Sequence, residues 1–236
     1  MKTTFIKLFV AVLILAGVTL SASAKDETRS VSGFDAIASS GSFSVHVKID
    51  GSETLSLSGP EDLLNQIETV VEHGTLKIKF KNEHWWSDNH NNERVDVYVT
   101  AKKLETLINS GSGSIKVEGT CTGGEIKVVL SGSGSISTAI KGEEVNATIS
   151  GSGNINLDGS VRDASVAISG SGSLYGKNLH TSTCSVAISG SGNVSIEAEK
   201  QLSASLMGSG SVRYSGSASV STTKMGSGSV RHVSED

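Results

Sequence analysis

The sequence predicts an all-β protein, a right-handed parallel β-helix of roughly 18–21-residue coils, on three observations. Seven Ser-Gly-Ser-Gly-type motifs recur at Ser110, Ser131, Ser150, Ser169, Ser189, Met207 and Met225. Their first glycines, Gly111, Gly132, Gly151, Gly170, Gly190, Gly208 and Gly226, are 21, 19, 19, 20, 18 and 18 residues apart. That period is too short for helical-hairpin repeats and fits one coil of a β-solenoid. Between the glycines, Val, Ile and Leu fall at alternate positions, which is the strand pattern.

The first residues stand apart from this pattern. Lys2 and Lys7 flank the start of an apolar run from Leu8 to Leu20, which ends in Ala22-Ser23-Ala24. A basic start, a short apolar stretch and a small-x-small site define a secretory signal peptide. The run is shorter than the ~20 apolar residues that cross a bilayer, and no Cys follows the site to carry a lipid. Residues 1–24 are therefore expected to be removed, and residues 25–236 to form a single β-helix domain. Loss of the two lysines, with no acid among those 24 residues, takes the net charge from −4 to −6. A mildly acidic chain has no electrostatic reason to bind nucleic acid. No later segment is long and apolar enough to span a membrane.

One unit, Gly151 to Ser169, shows the coil. Ile155 and Leu157 share one face of a first strand, Asp158-Gly159-Ser160 turns the chain, and Ala164, Val166 and Ile168 share one face of a second. Each coil thus reads as two strands and two turns. Two inward columns follow: Ile115, Ile136, Ile155, Leu174, Val194, Val212 and Val230, and Leu130, Ile149, Ile168, Ile188 and Leu206. Each buried aliphatic contributes about 1.5–3 kcal/mol against the entropy of ordering the chain. At ~4.8 Å per coil, seven coils span about 34 Å. The glycines let one backbone lie close over the next. In the last coil Lys224 replaces Leu206 and Thr222 replaces Ala204, so residues 217–236 read as a polar cap against further strand addition.

Residues 31–109 read as a degenerate β region before the seven repeats of 110–236. Ser40 to Val45 echoes Ser110 to Ile115. Val47 to Gly51 and Leu55 to Gly59 echo Ile155 to Gly159 and Val166 to Gly170. Glu61 to Gln66 follows Pro60 as one helical turn, and Thr69 to Phe80 and Arg94 to Thr100 alternate as strands. Cys184 falls in the inward column of Val145 and Ala164, and Cys121 in a turn three coils earlier. That separation is about 14 Å, beyond the ~7 Å a disulfide allows between Cα atoms, so no disulfide is expected.

Several motifs carry the resemblance to a family. They are Phe34-Asp35-Ala36-Ile37, Gly74-Thr75-Leu76-Lys77-Ile78, Leu104 to Leu107 followed by Ser-Gly-Ser-Gly-Ser-Ile, Gly151 to Ile155 and Gly190 to Val194. In these the chain resembles the family named putative auto-transporter adhesin, head GIN domain, of bacterial envelope proteins, over nearly all of residues 25–236. The resemblance implies a β-helix at the envelope or cell surface and brings no catalytic residues. Met207 and Met225 depart from it by standing where Ser leads the other motifs.

No cofactor, metal or catalytic set is expected from the residues. No Gly-Lys-Ser/Thr follows the glycines, as a phosphate loop needs. Ile115, Ile136 and Ile155 stand where a calcium β-roll places Asp. Polysaccharide-active β-helices need carboxylates or cations converging over several coils. The comparable turn row here, Glu118, Ala139, Asp158, Lys177, Glu197 and Ser215, alternates in kind, and Glu143, Glu144 and Asp163 read as solvated charge. The most individual segment is Asn82 to Asn92. It carries Trp85 and Trp86, which suit a sugar ring, a protein or a membrane surface, beside His84 and His90. The competing reading is a loop folded over an apolar flank of the helix; a metal site from His84, Asp88 and His90 lacks a preorganised surround. The sequence therefore points to a non-catalytic exported protein, adhesin or assembly scaffold, in the periplasm, on the outer-membrane surface or outside the cell. Its partners would be a surface polysaccharide or an envelope protein, with self-association left open. Alternatives are a carbohydrate-binding module using Trp85 and Trp86, or a polysaccharide-active enzyme. N-terminal sequencing of the protein secreted by a bacterial host is expected to begin at Lys25; a chain retaining Lys2 and Lys7 would contradict the signal peptide.

Overall fold

The computed structural model describes residues 25–82 and 94–234. The strands are β1 (Lys25–Arg29), β2 (Ala36–Gly41), β3 (Ser44–Ile49), β4 (Thr54–Gly59), β5 (Ile67–Glu72), β6 (Thr75–Phe80), β7 (Asp96–Ala101) and β8 (Thr106–Gly111). Five long strands follow: β9 (Ser114–Gly132), β10 (Ser135–Gly151), β11 (Asn154–Gly170), β12 (Ser173–Gly190) and β13 (Asn193–Gly208). The last are β14 (Ser211–Ser215), β15 (Ser219–Met225) and β16 (Ser229–His232). One helical turn, α1 (Glu61–Leu64), lies between β4 and β5. Among the described residues no helix is long and apolar enough to cross a membrane.

The repeats form a parallel β-solenoid of about seven turns with coils of ~19 residues. The first inward column is a continuous register: Ile115 pairs with Ile136, and the line runs on through Ile155, Leu174, Val194 and Val212 to Val230. The second runs from Leu130 through Ile149, Ile168 and Ile188 to Leu206. All are buried except Val230, which is partly so. The polar end also falls in register, with Lys224 opposite Leu206 and Thr222 opposite Ala204.

The coil differs from its sequence reading at one corner. Asp158-Gly159-Ser160 bends the chain but stays hydrogen-bonded, pairing with Ala139, Ile140 and Lys141. Each of β9 to β13 is therefore one long strand folded at a corner; the Ser-Gly-Ser-Gly corner ends each strand, and the other corner shows only local register shifts within the ladder, as at Ser137/Ala139 and Asn156/Gly159. The corner tolerates pairing because its inward positions, Ile140, Val161 and Leu179, are buried aliphatics. Cys121 belongs here. It lies inward in β9, opposite Ile140, rather than in an open turn, and its Sγ is 3.2 Å from Thr138 Oγ1. Cys184 sits between Ala164 and Leu202. Both thiols are buried and free. The turn row is likewise broken: Ala139 pairs with Thr120 and Asp158, whereas Glu118 pairs with Lys48 and Glu197 with His180.

The N-terminal region stacks out of chain order. β2 pairs in parallel with β8, and β3 with β9, bringing Gly41 opposite Gly111 and Val45 opposite Ile115. The echo of Ser110 to Ile115 is thus structural. β6 and β7 then pair with the far sides of β2 and β3. The coil of residues 36–49 is consequently held between two coils that follow it in sequence. Two of the expected echoes fail. Val45, not Val47, aligns with the column of Ile155. Leu55 to Gly59 is no parallel coil at all: β4 runs antiparallel to β7, and β1 antiparallel to β4. On the other flank β5 folds back on β6 through His73-Gly74, both with positive φ. Antiparallel strands and α1 close this end, with Leu55, Leu57, Leu63 and Leu64 fully buried. Arg29 fastens the closure by donating to the carbonyls of Ile67 (2.8 Å) and Leu64 (2.9 Å).

A polar pair interrupts the second inward column where the regular coils begin. Upstream of Leu130 stand Asn109 and then Ser39, both fully buried. Asn109 Nδ2 donates to the carbonyl of Gly113 at 2.7 Å, so the amide serves the corner instead of packing as an aliphatic. Asn109 Oδ1 and Ser39 Oγ have no hydrogen-bond partner among the described residues.

Gly170 shows what the interrupted corner demands. Its φ is +123°, and a Cβ there would collide with the carbonyl oxygen of Gly151 one coil away. That carbonyl accepts from the N–H groups of Ser171 (2.9 Å) and Gly172 (3.0 Å). Gly170→Ala is expected to cost more than about 2 kcal/mol through strain and displaced hydrogen bonds, and Ser171→Ala, at an exposed position, within about 0.5 kcal/mol. Urea unfolding of the two variants tests this; equal losses would remove the close-stacking argument. Burial pushes the Cys184 thiol up to about 12. Above the ordinary thiol value of 9.0 the unfolded chain ionises while the folded one does not, so stability falls as pH rises from about 9 towards 12, and nothing is lost below. Unfolding midpoints from neutral to alkaline pH should decline less steeply for Cys184→Ala; an identical decline would exclude a buried titrating thiol.

Candidate functional site

Trp85, Trp86, His84 and His90, and with them Asp88, fall outside the described residues. The described outward faces can be built from the register. On the face carried by the first strand of each coil, one column runs Thr28, Ser56, Tyr98, His46, Lys116, Ser137. It continues through Asn156, Tyr175, Ser195 and Arg213 to Arg231. These eleven positions hold no carboxylate. Tyr98 and Tyr175, each 49% exposed, are the two aromatics among the exposed large hydrophobic side chains of the described residues.

The column borders a depression near its N-terminal end. The Tyr98 and His46 rings stack with centroids 5.1 Å apart and planes 18° from parallel. His46 Nε2 lies 3.1 Å from Asp96 Oδ1, which fixes the imidazole beside the tyrosine. Thr54, Ser56, Thr100, Lys48, Lys116 and Glu118 surround the pair, and together they line an open depression of about 380 Å³. Its hydroxyls are ordered: Thr54 Oγ1 and Thr100 Oγ1 share a hydrogen bond of 2.8 Å, and Ser52 Oγ is 3.1 Å from Thr100 Oγ1. Ser52 also donates twice to Asp50, from its hydroxyl and its N–H, and holds that carboxyl below its ordinary value.

The face carried by the second strand is different in kind. From β10 onward its outward triplets are Asn146, Thr148, Ser150; Ser165, Ala167, Ser169; Ser185, Ala187, Ser189; Ser203, Ser205, Met207; and Ser221, Thr223, Met225. Five successive coils thus present no charge. The two methionines, noted in the sequence only as departures from the motif, lie side by side in register and are 53% and 69% exposed.

The carboxylates occupy the corner between the faces and are engaged with neighbours. Glu125, Glu144 and Asp163 are in register with Thr183. Asn146 Nδ2 donates to Glu125 (2.9 Å) and Glu144 (3.0 Å), and Arg162 bridges Glu143 and Asp163 at 2.7 Å each. The Thr183 hydroxyl and then Arg162 hold the Asp163 carboxyl below its usual range. Glu197 is buried rather than outward. Its carboxylate meets His180 Nδ1 at 2.6 Å, and its carbonyl accepts from Thr181 Oγ1 at 2.6 Å. Among the described residues no three His, Cys, Asp or Glu side chains are placed to hold a metal ion.

The described residues thus form a parallel β-solenoid with one uncharged sheet face and one outward column carrying two exposed tyrosines. The chain belongs to the family described as putative auto-transporter adhesin, head GIN domain, whose profile matches residues 33–218. Three crystal structures share the fold. A putative adhesin from Bacteroides fragilis is 20% identical, with a TM-score of 0.80 over 90% of this chain and 98% of that one. A putative lipid binding protein from Parabacteroides distasonis is 25% identical, with a TM-score of 0.71 over 91% and 98%. A putative adhesin from Parabacteroides merdae is 19% identical, with a TM-score of 0.70 over 91% and 98%. No curated protein matches the chain.

Proposed function

We propose that the protein is a non-catalytic adhesin exported to the cell envelope, a stiff rod that makes contact through its sheet faces. The observation that carries this reading is the five-coil uncharged face, mostly Ser, Thr and Ala, with Asn146 at one end and Met207 and Met225 at the other. It offers a level array of small side chains, which a partner surface can approach without desolvating charge. An open groove of about 450 Å³ runs along it, lined by Thr148, Ala167, Ala187 and Met207 among others. The acids of the neighbouring corner are held by Arg162, Asn146 and Thr183; Glu144 and Asp163 line a depression of about 310 Å³, but Asp163, held below its usual range, is kept as an anion rather than a proton donor. The family's description as adhesins supports the same reading.

Beads coated with residues 25–236 should be retained on bacterial or host cell surfaces. The double variant Ala167→Gln/Ala187→Gln, which fills the exposed face without touching the inward columns, should reduce retention severalfold. Equal retention of both proteins would remove the uncharged face as the adhesive one. Release of soluble sugar from cell-wall polysaccharide would overturn the non-catalytic reading.

A further inference from the structure

We propose that the outward column through Tyr98 and Tyr175 is a binding track for a linear acidic polysaccharide, pyranose units bearing carboxylates, with the Tyr98 ring as its main platform. The inference goes beyond the adhesin reading and uses a different face from the one that carries it.

The Tyr98 ring is half exposed. One side of the ring is taken by the stacked His46 imidazole. On the other side the next residue in register is Ser56, whose side chain is too short to cover an aromatic ring. The depression of about 380 Å³ lies here, at the lower end of the range for small-ligand sites. A tyrosine ring presents an apolar face with a polar tip, and the apolar face of a pyranose ring complements it. The sugar's hydroxyls would then meet Ser56, Thr54 and Thr100. Each of these hydroxyls has hydrogen-bonding capacity beyond the Thr54–Thr100 and Ser52–Thr100 bonds.

A second observation extends the site along the rod. Tyr175 is as exposed as Tyr98 and stands in the same column, five strand steps away. At ~4.8 Å per step that is about 24 Å, the reach of a chain of several sugar units lying across the strands. Between the tyrosines come His46, Lys116, Ser137 and Asn156, all hydrogen-bonding side chains. A protein partner would ask for an apolar anchor pocket at the centre; this track places donors and acceptors there. Charge selects the type of glycan. The column itself holds Lys116, Arg213 and Arg231 and no acid, in a protein that is acidic as a whole. In the depression Lys48 and Lys116 stand against one carboxylate, Glu118, while Asp96 is engaged by His46. Carboxylates on the chain would pair with these cations.

Native affinity electrophoresis of residues 25–236 tests the proposal, in gels containing polygalacturonate and, in parallel, neutral dextran. Retardation is expected in the polygalacturonate gel and little in dextran. Tyr98→Ala/Tyr175→Ala should weaken binding about tenfold, as loss of two central anchors does, and Lys116→Ser severalfold. Both tyrosines point outward, so circular dichroism and the urea midpoint should match the parent protein. Ala167→Gln/Ala187→Gln should leave retardation unchanged, so that failure of the adhesive face and failure of the glycan track are separable. Absence of retardation, equal retardation in both gels, or full retention by the double tyrosine variant would each overturn the proposal.

Discussion

The fold depends on one contact, repeated once per coil: the first glycine of each motif lies directly over the first glycine of the previous coil. From Gly41 through Gly111, Gly132, Gly151, Gly170, Gly190 and Gly208 these residues pair in unbroken register. Each carbonyl accepts the N–H groups of the next corner, as Gly132 does from Ser152 and Gly153 at 3.0 Å. A side chain at these positions would push neighbouring coils apart, because nothing but backbone separates them. Register follows from this. Once the corners are aligned, the alternation of each strand places Ile, Leu and Val above their counterparts, and the hydrophobic columns add stability to an alignment the corners have set.

A stack held this way has no internal reason to stop, so its ends need their own devices. The N-terminal end changes strand direction: β1, β4 and β5 run antiparallel to their neighbours and α1 lies between them. The C-terminal end keeps the parallel direction and changes chemistry, putting Lys224 and Thr222 where the preceding coil has Leu206 and Ala204. Asn109 marks the junction between the irregular and regular parts. An aliphatic residue in its place would continue the column but would leave the Gly113 carbonyl without the Asn109 amide.

The regular coils were legible in the sequence because period and alternation are local and repeat. The irregular coils were not, for two physical reasons. Alternation of period two is the same in parallel and antiparallel strands, so Leu55 to Gly59 reads like Val166 to Gly170 while pairing in the opposite sense. The placement of residues 36–49 between later coils is a long-range choice that no window of sequence contains. Cys121 reads as a turn residue for a related reason: a corner that remains in the ladder looks, residue by residue, like a turn. The aromatic column was hidden altogether. Tyr98, His46 and Lys116 come from three separated segments and become neighbours only through β7, β3 and β9. The Trp85–Trp86 segment, conspicuous in sequence, lies outside the described residues.

The division of labour between positions explains how such a chain can be specific without a deep pocket. Inward residues and corner glycines are fixed by packing, and each substitution there is felt by the coils above and below. Outward residues meet solvent, and a change there leaves the register intact. Chemistry can therefore be placed on the outside one coil at a time, at a spacing the backbone dictates. The uncharged face and the aromatic column are two results of that freedom on one scaffold. They differ in composition by as much as two unrelated surfaces would, yet share every inward constraint. A partner made of repeating units, presented along the rod, is the kind such a periodic surface can match at several points, with each point contributing little and the array contributing through its simultaneity.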